Sequence, residues 1–93
     1  MKLPVNYKSL TPQQRRHVRE AYVSRQKGRC YHCKGHLCVG PPKEILQRKI
    51  DMRLFPDGFL NHPVHLHHSH KTGKTVGAVH AYCNAVLWQY HGK

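Results

Sequence analysis

Apolar residues are thinly spread over the first sixty positions of this chain, then gather into two short runs and one dense stretch between Pro63 and Tyr90. Thr11-Pro12-Gln13-Gln14 predicts a helix start: Thr11 caps, Pro12 suits the first helical position and Gln14 completes a capping box. The helix is expected to reach about Gln26 and stop at Gly28, the left-handed capping residue. Its apolar stripe is narrow (Val18, Ala21, Tyr22), and arginines crowd the rest. Gly40-Pro41-Pro42 is a break, and Glu44 to about Met52 reads as a second helix with Ile45, Leu46 and Ile50 inward. Phe55-Pro56-Asp57-Gly58-Phe59 reads as a turn with apolar anchors. Pro63–His68 and Thr75–Val79 read as two strands joined through Thr72-Gly73-Lys74, with a last helix over Cys83–Tyr90.

Size changes how this pattern must be stabilised. Ninety-three residues make one domain (1–93), expected to comprise a basic helical extension (1–28) and a core (30–90). Only 39% of the residues are apolar, and a core this small needs a metal or disulfide staple. No stretch approaches the roughly 20 apolar residues of a membrane span, and the N-terminus lacks the apolar run of a signal peptide. The expected setting is therefore cytoplasmic, where cysteines bind metal rather than pair.

The staple is legible. Cys30-x2-Cys33 followed by Gly35 has the shape of a zinc knuckle, in which a tight turn converges two thiolates and the glycine relieves strain. His80-x2-Cys83 supplies a second pair at the junction of the returning strand and the last helix, completing a Cys3His set suited to structural Zn2+. Cys38 either replaces His80 or is a buried free thiol, and its spacing favours the thiol.

Charge points to the partner. Sixteen Lys+Arg oppose four Asp+Glu, a formal +12 with ten histidines uncounted, which implies a polyanion and above all nucleic acid. Arg15, Arg16 and Arg19 on the first helix, and Lys71 and Lys74 beside the hairpin turn, are candidate DNA phosphate contacts. The first helix is too polar to lie on a membrane.

His67-His68-Ser69-His70-Lys71-Thr72-Gly73-Lys74-x2-Gly77-x2-His80-x2-Cys83-Asn84-x2-Leu87, with the earlier Cys30-x2-Cys33, resembles the HNH (ββα-metal, His-Me finger) endonucleases, in the branch typified by phage endonuclease VII. The resemblance spans about Cys30 to Leu87 in two blocks and omits the middle segment and the first helix. It implies an α+β fold with a treble-clef-like zinc site and a ββα-metal catalytic hairpin and helix. By position, Cys30, Cys33, His80 and Cys83 would bind structural zinc, His67 and Asn84 a catalytic divalent cation, and His68 would be the general base. His67 stands where the branch commonly has Asp, although the colicin nuclease domains also use a His-His pair. Ser69 replaces a second Asp, and His80 replaces a zinc cysteine.

The chemistry of these residue types is consistent with those roles. A neutral imidazole activates water near pH 7, which suits His68. A His-plus-Asn pair leaves a cation's charge facing phosphate and suits Mn2+, Ni2+ or Zn2+ as well as Mg2+. His70 either orients phosphate or leaving group, or is a loop histidine. His65 is either a third ligand or, as strand direction favours, a packing residue. His32 and His36 flank the knuckle, His62 and His91 read as surface histidines, and Trp88 and Tyr90 read as core and edge. The expected function is a phage or mobile-element DNA endonuclease that nicks or cuts both strands, as a monomer or homodimer. The alternatives are a non-catalytic zinc-stapled nucleic-acid-binding module and an RNA-directed or colicin-type nuclease.

Overall fold

Thr11 and Gln14 start the first helix as their side chains predict. Thr11 Oγ1 accepts from the Gln14 N–H and Gln14 Oε1 accepts from the Thr11 N–H, so both halves of the capping box form. In the computed structural model, which describes residues 2–92, helix α1 spans Pro12–Arg25. Its C-terminal cap departs from expectation by one position. Lys27 takes the left-handed conformation (φ 56°) and donates to Ser24, while Gly28 (φ 74°) donates to Val23. This is a Schellman pattern in which a lysine holds the place usually given to glycine. Val18 and Tyr22 enter the core, so the helix is anchored in the main body.

The predicted second helix is cut to a single turn, α2, Lys43–Leu46. The chain beyond it is drawn out by side chains of the last helix. The Tyr82 hydroxyl donates to the Arg48 carbonyl at 2.7 Å, and Tyr90 and Gln89 both donate to the Lys49 carbonyl. Gln89 Oε1 also accepts from the Asp51 N–H at 2.8 Å. Carbonyls committed to these donors cannot close helical turns, so only a short 3-10 turn, Met52–Leu54, follows. Of its expected inward residues, Ile45 packs against the core whereas Leu46 is exposed.

The hairpin matches its prediction closely. Strand β1 is Val64–His68 and strand β2 is Thr75–His80, antiparallel, with Gly73 (φ 76°) in the turn. Register runs from Val64 opposite His80 to His67 opposite Gly77, then shifts between His67 and His68. That irregularity bends β1 where the adjacent histidines lie. The N-terminal segment adds a partial third edge: Thr75 N–H donates to the Val5 carbonyl, Val5 N–H to Thr75 Oγ1, and Tyr7 N–H to the Gly73 carbonyl.

Helix α3, Ala81–His91, begins two residues earlier than expected because the Ala81 N–H finds an acceptor in the Pro63 carbonyl. The architecture is thus a small α+β domain, a two-stranded antiparallel sheet with α1 and α3 packed on it. Leu66, Ala78, Val79, Cys83 and Leu87 meet Val18 and Tyr22 in the core. No helix among the described residues is long and apolar enough to cross a membrane.

One close approach fixes how α1 and the knuckle seat on β2. Gln26 acts as a surrogate strand, its Oε1 accepting from the Ala78 N–H and its Nε2 donating to the Ala78 carbonyl, both at 2.9 Å. A Cβ at Gly77 would stand 2.8 Å from Gln26 Oε1 and 3.0 Å from Tyr31 Cβ. Gln26 cannot yield without breaking both bonds. We expect Gly77→Ala to lose about 1–3 kcal/mol of stability in denaturant titration. Gly40→Ala, where nothing lies within 4 Å of the added carbon, should stay within about 0.5 kcal/mol of the parent. Equal stabilities for the two variants would refute this seating.

Candidate functional site

The knuckle turn brings Cys30 and Cys33 together through Lys34, whose N–H donates to the Cys30 carbonyl at 2.9 Å and whose φ is 67°. Lys34, rather than Gly35, carries the left-handed strain of this turn. A Cβ at Gly35 would stand 3.6 Å from the Cys33 sulfur, an ordinary contact, so the strain relief expected of this glycine is not needed there. On the other side of the cluster, the β2–α3 junction delivers His80 and Cys83. The ligand atoms of Cys30, Cys33, His80 and Cys83 all lie within 4.8 Å of one another. His80 Nδ1 is 3.4 Å from Cys33 Sγ and 3.6 Å from Cys83 Sγ. Tetrahedral zinc with bonds of about 2.3 Å needs donor separations of about 3.8 Å, so the set fits.

The surroundings favour the same conclusion. His80 Nε2–H donates to the Val39 and His36 carbonyls at 2.7 and 3.0 Å, which leaves the Nδ1 lone pair facing the sulfurs. The Cys83 thiol donates to Cys30 and pulls its pKa well below the usual thiol range, while Cys83, holding its proton against that thiolate, is pushed up. Burial raises the Cys33 thiol. A cation replacing the protons would relieve this crowding. These four residues can hold a structural metal ion such as zinc. Cys38 lies outside the set and is a free thiol as expected, but it is exposed rather than buried.

A second grouping lies along the edge of β1. Strand alternation sends His65 and His67 to the face carrying Asn84 of α3. His67 Nδ1 is 2.9 Å from Asn84 Oδ1, and Asn84 Nδ2 is 3.1 Å from His65 Nδ1. The His65 ring also donates to the Phe59 carbonyl and stands edge-on to the Phe59 ring at 4.7 Å. A ring that donates to Phe59 on one side accepts from the Asn84 amide on the other, which turns Oδ1 toward His67. His65 therefore orients the carboxamide as well as packing, a role its place in the sequence did not signal.

The register shift between His67 and His68 lets both adjacent histidines face one cleft of about 310 Å³. β1 forms its floor, Arg15 and Arg19 of α1 one side, and Asn84 and Trp88 of α3 the other. His68 stacks on Tyr7 (3.8 Å between centroids, 8° between planes). Burial, then the neighbouring His70 and His67, push its pKa down to about 4, so the ring is neutral at physiological pH. His70, exposed, lies 4.6 Å from the His68 ring and 4.1 Å from that of Trp88. Trp88 is thus 47% exposed at the rim of the cleft, not the core residue its position predicted. Tyr90 lies at the edge, as expected.

Of the expected phosphate contacts, Arg15 and Arg19 line the cleft but Arg16 does not. Arg16 projects elsewhere on α1 and pairs with Glu20 at 3.5 Å. Lys71 lines a neighbouring cleft of about 540 Å³ that shares His67 and His70, and Lys74 is exposed on the turn. Tyr7, which carries the His68 ring, escaped the sequence reading because no local pattern links residue 7 to residue 68. No family model, curated protein or solved structure matches the chain.

The Cys3His cluster has a direct test. Elemental analysis should find one zinc per chain beyond any ion at the β1 cleft. Cys33→Ser should lose that zinc and unfold at a much lower temperature, while Cys38→Ser keeps both metal and stability. Full zinc occupancy in Cys33→Ser would exclude this ligand set.

Proposed function

We propose that the chain is a metal-dependent endonuclease of the HNH type that hydrolyses DNA phosphodiester bonds, with the β1–β2–α3 unit as its ββα-metal catalytic element. The observation that carries the proposal is the convergence of His67, His68 and Asn84 on one basic cleft. Two cation ligands with bonds of about 2.1 Å at a right angle stand about 3 Å apart, and His67 Nδ1 and Asn84 Oδ1 are 2.9 Å apart. His67 and Asn84 would hold a divalent cation, which when bound supplies Lewis-acid stabilisation of the charge growing on the phosphate.

The chain's own residues account for the remaining work. His68, neutral and beside that pair, accepts the proton of the attacking water. Stacking on Tyr7 holds its ring against rotation. His65 keeps the Asn84 oxygen turned toward His67. His70, exposed between His68 and Trp88, is placed to assist the departing oxygen. Arg15, Arg19, Lys71 and Lys74 attract the backbone, and binding that uses several such contacts weakens steeply with salt. The neutral donors His67 and Asn84 favour a cation requirement that Mn2+, Ni2+ or Zn2+ meets as well as Mg2+.

One observation favours a different reading, a zinc-stapled nucleic-acid-binding module without catalysis. His67 and Asn84 satisfy one another by hydrogen bonding and so have a structural use of their own. Plasmid incubated with zinc-loaded protein and Mn2+ separates the two. The nuclease reading expects cleavage that His68→Ala lowers by at least about 100-fold, with folding and DNA affinity little changed. Binding without cleavage under every divalent cation would favour the module, and parental cutting by His68→Ala would remove the base assignment.

A further inference from the structure

We propose that Arg15 and Arg19 form a built phosphate-binding wall of the β1 cleft and hold the scissile phosphate opposite His67 and Asn84. The inference rests on the nuclease reading only in calling that phosphate scissile. The anion site follows from the geometry of α1, which lies outside the segment that resembles HNH enzymes.

Residues four apart on a helix share a face, so Arg15 and Arg19 project together, while Arg16 lies outside the cleft and pairs with Glu20. Both line the cleft whose floor is His67 and His68 and whose far side carries Asn84. Neither is paired with a carboxylate among the described residues. Among the described residues the ion pairs are Arg16–Glu20 and Arg53–Asp51, and no Asp or Glu lines the cleft.

Arg15 is also held in place. Its guanidinium carbon sits 4.8 Å above the Tyr7 ring, and Tyr7 stacks in turn on His68. Its Nε is buried with no hydrogen-bond acceptor. Leaving that one N–H without an acceptor is unfavourable, and the Tyr7 ring offsets only part of the cost. A half-buried guanidinium that lines the cleft, packs over Tyr7 and is answered by no carboxylate among the described residues is arranged for an anion from outside. A tetrahedral phosphate matches the paired donors of arginine better than a point charge does. The continuous Arg15–Tyr7–His68 stack would then set the distance between the bound phosphate and the base.

Two measurements on the zinc-loaded full chain test this. In the first, inorganic phosphate is titrated while the arginine Nε–Hε resonances are followed by NMR. The expected result is saturable shifts of Arg15 and Arg19 with Arg16 unmoved, and binding weakened about tenfold or more in Arg15→Ala. Arg15→Gln, which keeps part of the packing on Tyr7, should behave like Arg15→Ala. In the second, single-turnover DNA cleavage should fall about 10- to 100-fold in Arg15→Ala and less in Arg15→Lys, with Arg16→Ala within about twofold of the parent. Phosphate that leaves Arg15 and Arg19 unshifted, or an Arg15→Gln variant that binds it as the parent does, overturns the proposal. Phosphate binding at this wall in a protein that cuts no DNA supports the anion site while removing the nuclease reading.

Discussion

The convergence of three sulfurs and one imidazole on a single point is the constraint from which the rest of the structure hangs. Cys30 and Cys33 come from the turn after α1, and His80 and Cys83 from the corner where β2 becomes α3. Pinning these together closes a loop of about fifty residues, an entropic cost that a small, weakly apolar core is poorly placed to meet. The corner matters more than the loop. Asn84 follows Cys83 directly, so the geometry of the cluster sets where that carboxamide stands relative to β1. His80 is held through both ring nitrogens, one facing the sulfurs and the other donating to the Val39 and His36 carbonyls. The knuckle, the following loop and the start of α3 are thereby locked into one unit.

The cleft beside that unit is a product of the hairpin. A regular strand would send His67 and His68 to opposite faces. The register shift between them brings both to the open edge of β1, where α1 and α3 rise on either side. The two sides differ in chemistry. α3 contributes a carboxamide and an indole, α1 two unneutralised guanidinium groups, and the floor a set of imidazoles. Such a cleft is electropositive and rich in nitrogen and oxygen donors, and the His68 ring stacked on Tyr7 within it is neutral at physiological pH. The proposed hydrolysis draws on these features, the charge to hold a phosphodiester and the imidazole to withdraw a proton.

Much of this could be read from local chemistry. The capping box at Thr11 and Gln14, the knuckle, the hairpin limits and the Cys3His set each depend on residues close in sequence or on ligand type, and each is found. Features created by distant partners could not. The helix expected over Glu44–Met52 is lost because Tyr82, Gln89 and Tyr90 take its carbonyls and one of its N–H groups. Left-handed conformations fall on Lys27 as well as the expected Gly28, and on Lys34 rather than Gly35, because the bonds of each turn, not its composition, choose the residue. Trp88 leaves the core to meet His70, and His65 and Tyr7 gain roles only through contacts with α3 and the bulged strand. Helical spacing puts Arg15 and Arg19 on one face, but that they and not Arg16 meet the cleft depended on how α1 docks.

The central claim is that this small scaffold is organised around two cations, one holding the corner and one held between β1 and α3. The most direct measurement is anomalous scattering from crystals grown with Mn2+, recorded on either side of the zinc edge. The account predicts a zinc peak among Cys30, Cys33, His80 and Cys83 and a separate manganese peak bonded to His67 and Asn84. A single peak at the cysteines, with His67 and Asn84 still hydrogen-bonded to each other and no ion between them, would contradict it.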